Sequence, residues 1–245
     1  MIMKTFASMA ALMTGALGGC VDMGGDSVDM SVGAATSQVV QVEGFDRLEV
    51  AGPYDVTVTP GDALGLTADG PENVIRFTEF KVEDGKLTIR PMKKEGDRIR
   101  WEGNAVVKIA ITGAMLKAAG IAGSGDIDIA QVSGDRFDGD IAGSGSLMVR
   151  QLAVKTAEFD IAGSGDMAMA GTADSIDVDI AGSGSFAANE LVSKAAQVEI
   201  AGSGDVATSV TDTADISIAG SGDVAISGGA KCTVSKAGSG NVVCS

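Results

Sequence analysis

The chain contains no histidine, one tryptophan, one tyrosine and four prolines among its 245 residues. Without histidine it lacks the commonest general base and the commonest imidazole metal ligand. With so few large aromatic side chains it has almost no platforms on which a sugar ring could stack. Positive charge is short as well: 18 Lys and Arg stand against 33 Asp and Glu, for a net charge of −15. That balance sets the chain against nucleic acid as a partner. The apolar stretch at residues 6–17 falls short of the roughly 20 residues needed to cross a bilayer as a helix.

Glycine, by contrast, is plentiful, and it is ordered. Ala-Gly-Ser-Gly occurs seven times, with first glycines at Gly123, Gly143, Gly163, Gly182, Gly202, Gly220 and Gly238. A period of 18–20 residues is the mark of one supersecondary unit stacked on copies of itself. Let the first glycine be position 0. Position −2 is Ile121, Ile141, Ile161, Ile180, Ile200, Ile218 and finally Lys236; position +4 is Ile127, Leu147, Met167, Phe186, Val206, Val224 and Val242. Positions −4 and +6 are mostly apolar too, with polar residues between. This alternation has the period of a strand and fits no helix. The Gly-Ser-Gly supplies a corner where a Cβ would clash. The pattern predicts an all-β fold: a single-stranded parallel β-helix, or β-solenoid, with coils of about 18–20 residues stacked at roughly 4.8 Å.

The N-terminal half reads as decayed copies of the same unit. Val50-Ala51-Gly52-Pro53-Tyr54-Asp55-Val56 aligns with the Ile-Ala-Gly-Ser-Gly-Asp-Val of the later copies. Asp84-Gly85 reads as a tight turn into Lys86-Leu87-Thr88-Ile89-Arg90, and residues 106–111 alternate again. Residues 43–245 are therefore expected to form one elongated domain.

The start of the chain reads as an address. The apolar stretch ends in Leu17-Gly18-Gly19-Cys20, which resembles the lipobox of bacterial lipoprotein signal peptides. The resemblance implies a leader at 1–19 that is cleaved, a lipid on Cys20 that anchors the protein to a membrane, and, with Val21 following, the outer membrane. The other reading is an ordinary secretory signal peptide with a chance cysteine. Residues 20–42, rich in Gly, Ser and Asp, would then be a flexible tether.

Phe45-Asp46-Arg47-Leu48-Glu49-Val50 with Gly52, Gly85-Lys86-Leu87-Thr88-Ile89, and the Gly-Ser-Gly-Asp copies after Leu116 together resemble the bacterial family of Putative auto-transporter adhesin head GIN domains. The resemblance covers roughly residues 43–245. It implies a right-handed parallel β-helix and supplies no catalytic residues to transfer.

In a stack, each repeat position becomes a row. The +1 serines, Ser124 through Ser239, have no histidine to activate them and read as a structural row. Position +3 is Asp126, Ser146, Asp166, Ser185, Asp205, Asp223 and Asn241. The four aspartates either satisfy backbone N–H groups at the turn or bind calcium through oxygen ligands in glycine-rich turns. Positions −5 and −3 place Asp138, Asp140, Glu158, Asp160, Asp177, Asp179 and Glu199 on one outward face. This is either a solvated, aggregation-resistant face or a site for cations or a cationic partner. Position +5 is weakly apolar, from Met148 through Ala168 and Ala187 to Val243. Cys232 at −6 and Cys244 at +6 of the last copy share inward parity and are expected to pair as a disulfide in an oxidising envelope. Residues 91–104, with Lys93, Lys94, Arg98, Arg100 and Trp101, are the most irregular segment: a projecting binding loop or a charged edge strand. Charge is uneven, with ten Lys/Arg and six Asp/Glu in 76–117 but six and seventeen in 118–245.

These features favour a non-catalytic, lipid-anchored envelope protein that presents an adhesin-like or scaffolding surface to an envelope protein or glycan. It would need no cofactor unless the aspartate row binds calcium. A carbohydrate-active β-helix enzyme is the alternative. It would need loops that wall a groove, and coils of this length leave little chain for them.

Overall fold

The computed structural model describes residues 27–30, 33–92, 98–101 and 106–245. The leader at 1–19 and Cys20 lie outside the described residues, as do Lys93 and Lys94.

The predicted solenoid is present. From Ala118 onward each coil pairs in parallel with the next, and the register follows the repeat. Ile121, Ile141, Ile161, Ile180, Ile200, Ile218 and Lys236 are successive partners. Strands such as Ser146–Gly163 and Ser185–Gly202 run from +3 of one copy to 0 of the following one. The shorter copies do not disturb the corners. Register shifts fall between Val149 and Leu152, Ala168 and Ala170, and Ala188 and Val192, on the far side of the coil. The inward isoleucines are at most 2% exposed from Ile121 to Ile218. Phe137, Phe159 and Phe186 are buried in the middle of the column, with ring centroids 6.3 and 5.0 Å apart.

The corner explains why the motif barely varies. Gly182 sits at φ +138°, and a Cβ there would lie 2.2 Å from the carbonyl oxygen of Gly163. At +2, a Cβ on Gly184 would meet Gly165 O at 2.4 Å and Ile161 Cγ2 at 2.6 Å. One glycine is thus required by its backbone conformation and close approach, the other by the isoleucine ladder beneath it. Between them, each serine amide from Ser144 onward donates to the position-0 glycine one coil earlier, for example Ser183 N to Gly163 O at 2.8 Å. The serine row does hydrogen-bond along the corner, and it does so through backbone amides.

The N-terminal half follows the alignment and then departs from it. Arg47–Ala51 pairs with Ala118–Gly123, placing Val50 on Ile121, and Tyr54–Thr59 pairs with Asp126–Ile129, placing Val56 on Ile127. The chain does not stack onward in sequence order, however. Lys86–Pro91 and Val107–Thr112 form the coil on the other side of residues 47–59. Beyond them, pairing becomes antiparallel: Thr78–Glu83 on Lys86–Pro91, and Gly65–Pro71 on Val107–Thr112. A short helix, Glu72–Arg76, buries Val74 and Ile75 at this end. Leu66, Ala68, Val74 and Ile75, all 3% exposed or less, fill the core opening that a stack otherwise leaves to water. A purely parallel helix over 43–245 therefore needs correcting here. The tether boundary also moves. Ala35–Val39 is a strand, antiparallel to Gly65–Pro71, and Ser27–Met30 pairs with Arg98–Trp101. The polar composition of 20–42 hid the strand-forming Thr-Ser-Gln-Val run.

Candidate interaction surface

The −3 row is built by the parallel register alone. Asp140, Asp160, Asp179 and Glu199 are successive partners, followed by Ser217; beside them run Asp138, Glu158, Asp177 and Gln197. At one edge Arg136 bonds to both Asp138 and Glu158. Among the described residues the acids of the row proper share no cation of that kind. Partial burial, and then the charges of Asp140, Asp179 and Glu158, push Asp160 up to about 6. Partial burial followed by the charge of Asp138 raises Asp140, and burial followed by Asp177 raises Asp179. Asp177 is raised by burial and then by Glu158 and Glu199, and its Oδ1 is enclosed without a hydrogen-bond partner. Burial raises each of these acids first, and like charges stacked at one coil spacing add to it.

Next to the acids lies a row that the composition did not reveal. Position −1 is alanine from Ala51 through Ala122, Ala142, Ala162, Ala181, Ala201 and Ala219 to Ala237, each on its neighbour. Ala162, Ala181, Ala201 and Ala219 floor an open groove of about 370 Å³, edged by Asp160, Asp179, Glu199 and Ser217. A second shallow hollow of about 450 Å³ continues past Asp140 and Gly120 to Lys86, Glu49 and Arg47. The signal was in plain view, because the first letter of each Ala-Gly-Ser-Gly motif points outward.

Three of the four +3 aspartates serve the backbone. Asp126 accepts from Ser146 N at 3.0 Å, Asp205 from Asp223 N at 3.0 Å and Asp223 from Asn241 N at 2.8 Å; Asp166 is bonded by the Ser185 hydroxyl at 2.5 Å. Serine rungs separate Asp126 from Asp166 and Asp166 from Asp205. Among the described residues no three His, Cys, Asp or Glu groups are gathered to hold a metal ion. Asp55, in register with Asp126, extends the row; partial burial and then Asp126 raise its carboxyl.

Elsewhere, opposite charges about one period apart meet across coils. Lys155 reaches Asp135 at 2.6 Å, Lys194 reaches Asp174 at 2.7 Å and Arg150 reaches Asp128 at 2.5 Å. Spacings of 20 and 22 residues were the available signal. On the +5 strip, Met148, Ala168 and Ala187 line a shallow depression with Arg150, Asn189 and Glu190. Cys232 and Cys244 are joined by a disulfide with a Cα–Cα distance of 6.6 Å. Of residues 91–104, the stretch Arg98–Trp101 is strand.

Among the described residues these rows form an open, repetitive surface on a corner that recurs from coil to coil. The family model described as Putative auto-transporter adhesin, head GIN domain, matches residues 44–230, and the chain belongs to that family, which gives it an adhesin-like class. Three crystal structures share the fold. A putative adhesin from Bacteroides fragilis NCTC 9343 is 23% identical, with a TM-score of 0.80, over 89% of this chain and 99% of that one. A putative lipid binding protein from Parabacteroides distasonis ATCC 8503 is 25% identical, with a TM-score of 0.71, over 89% and 100%. A putative adhesin from Parabacteroides merdae ATCC 43184 is 20% identical, with a TM-score of 0.68, over 89% and 99%. No curated protein matches the chain.

Proposed function

We propose that this protein is a non-catalytic solenoid, lipid-anchored through Cys20 in the cell envelope at the outer membrane, that presents its repeated rows as an adhesive or scaffolding surface to an envelope protein or glycan. The observation that carries the reading is the acid–alanine face: side chains in register coil after coil, around an open groove and not a walled one. A polysaccharide lyase or hydrolase needs an acid and a base held about a substrate in a sheltered site. Here the carboxylates form one equivalent series, and the grooves of about 370 and 450 Å³ are open troughs. The family's adhesin description supports the same class. The lipid anchor rests on the Leu17-Gly18-Gly19-Cys20 motif.

The test is a fractionation coupled to a binding assay. Cys20→Ser should move the protein from the membrane fraction to the soluble one, and mass spectrometry of the native protein should find Cys20 acylated. Replacing Ala181 and Ala201 by Lys should abolish capture of envelope material by the immobilised domain while leaving its melting temperature unchanged. Membrane retention of Cys20→Ser would remove the anchor. Full capture by the lysine variant would remove the face.

A further inference from the structure

Exposed apolar surface gathers at the end of the column that the helix Glu72–Arg76 closes. Of the nine large hydrophobic residues exposed among the described residues, Val39, Phe77, Met92 and Val106 stand there. Three of them meet around the helix. Phe77 follows it directly, and Met92 N donates to Phe77 O at 2.7 Å. Val106 O lies against Gly70, two residues before the helix, where an added Cβ would meet it at 3.2 Å. Val39 ends the strand Ala35–Val39, which pairs with Gly65–Pro71 in the same layer. Phe77, Met92 and Val106, 38–46% exposed, thus form an apolar rim beside the buried Val74 and Ile75.

The chain ties Cys20 to this same end. The two-stranded ribbon of Ser27–Met30 and Arg98–Trp101 joins the rim through three connections: Met30 to Ala35, Met92 to Arg98, and Trp101 to Val106. Each covers five or six residues, so it spans at most about 20 Å whatever its conformation. Cys20 stands seven residues before Ser27, a reach of at most about 25 Å. Charge is balanced at this end and one-sided beyond it. Residues 65–112 carry nine Lys and Arg against eight Asp and Glu, whereas residues 118–245 carry six against seventeen.

We propose that the helix-capped end is a membrane-docking surface. Phe77, Met92 and Val106 sit at the headgroup level of the bilayer that holds the lipid on Cys20, and the acidic coils stand away from it. The inference rests on the Cys20 anchor proposed above and adds a second membrane contact and an orientation. A rim of three side chains is too small to hold a protein on a bilayer alone. A short tether to a lipid already in that bilayer raises its effective concentration to the order of millimolar, and apolar side chains then settle at the headgroup boundary. Charge selects this end over the side of the column. Anionic headgroups repel coils with a surplus of eleven acids, and they leave the balanced end free to approach within the screening length of about 8 Å. The acid–alanine groove is then carried outward. The rungs from Ile121 to Lys236 extend roughly 30 Å from the docked end at one coil spacing each.

The experiment uses the chain's own methionines. Met92 lies on the rim, and Met148, 39% exposed on the side of the stack, is the internal reference. The protein purified from membranes is reconstituted into vesicles of phosphatidylethanolamine and phosphatidylglycerol, and the soluble Cys20→Ser protein serves as the free state. Flotation reports the anchor, and hydroxyl-radical footprinting read by mass spectrometry reports the rim. The anchored protein should float, and its ratio of Met92 to Met148 oxidation should fall at least fivefold below that of the free protein. Phe77→Asp/Val106→Asp should still float, but with the ratio restored to the free value. A protein that floats with an unchanged ratio overturns the docking surface and leaves the anchor standing. Equal protection of Met92 and Met148 overturns the orientation, because the column would then lie along the bilayer. Full protection of Met92 in the aspartate variant overturns the role of the rim. A protein that does not float, with Cys20 unmodified, removes the anchor and the docking surface with it.

Discussion

Residues 44–117 and 118–245 use the same inward positions, Val50 over Ile121 and Val56 over Ile127, but they solve different problems. The C-terminal coils repeat one solution, and each is covered by the next. The N-terminal residues must end the column, and they do so with Leu66, Val74 and Ile75 on elements that do not repeat. Their charges differ in kind as well. In the N-terminal region acids pair with cations, as Asp46 does with Lys117 and Glu83 with Lys81. On the C-terminal face acids lie against acids. Strict repetition brings regularity, and with it rows of like charge that only variation between copies can relieve.

The sharpest break of that comparison is at the corner glycines. Gly182→Ala places a Cβ 2.2 Å from Gly163 O at φ +138°. Neither atom is a flexible side-chain end, so the expected loss is about 4 kcal/mol or more, read from urea unfolding. Gly120→Ala lies in the same stack, but its nearest neighbour would be Asp140 Cβ at 3.9 Å, and Gly44→Ala in the N-terminal region meets nothing within 4 Å. Both should change stability by no more than about 0.5 kcal/mol. Equal losses at Gly182 and Gly120 would mean that close coil approach does not limit the corner.

The two regions should also answer pH in opposite directions. The hydrogen bond from Lys117 holds Asp46 below the usual carboxylate range, and Lys81 does the same for Glu83. Stability from such groups is present above the unfolded pKa and is lost as pH falls through the lower folded value. Asp160, raised from 3.8 to about 6, works the other way. Its folded state holds the proton more tightly, so stability is greatest below about 4 and is lost as pH rises towards 6. The residue is only partly buried, and solvent screening reduces the effect to the order of 1 kcal/mol. Asp160→Asn should raise stability at pH 7 and flatten the dependence between pH 4 and 6. Hydrogen exchange should show residues 140–199 gaining protection at pH 5 while residues 46–90 do not. A pH-independent melting temperature in the wild type would mean that the row carries no repulsion.

Most of the C-terminal stack was legible in the sequence because position and burial repeat together: Ile at −2 and Gly at 0 and +2 have one structural solution each. The acid row was legible for the same reason, since parallel register turns spacing into adjacency. Three features were not. The spatial order of coils 47–59 and 86–112 depends on which edge the returning strand chooses, and alternation alone does not encode that choice. The strand Ala35–Val39 is short and polar, and it is held by an antiparallel partner thirty residues on. The outward alanines were absorbed into a motif whose glycines drew the explanation, although Ala162 and Ala181 are exposed and the glycines between successive alanine rungs serve the turn.

The smallest expected effect tests whether surface ion pairs distinguish the regions at all. Lys117 Nζ lies 2.7 Å from Asp46 Oδ2 near the N-terminal end, and Lys194 Nζ lies 2.7 Å from Asp174 Oδ1 in the stack. Both lysines are mostly in water, at 73% and 66% side-chain exposure, so each pair gains little after screening and the entropy of holding a long side chain. Lys117 is also tied by its backbone, with its N–H donating to Asp46 O at 2.7 Å, and that bond survives removal of the side chain. Lys117→Ala and Lys194→Ala should therefore each shift the melting temperature by no more than about 2 °C at low salt, and the shifts should vanish near 1 M salt, where the screening length falls to about 3 Å. A larger, salt-resistant loss at Lys194 alone would mean that cross-coil pairs help set the register of the stack, a role here assigned to the corner and the isoleucine ladder.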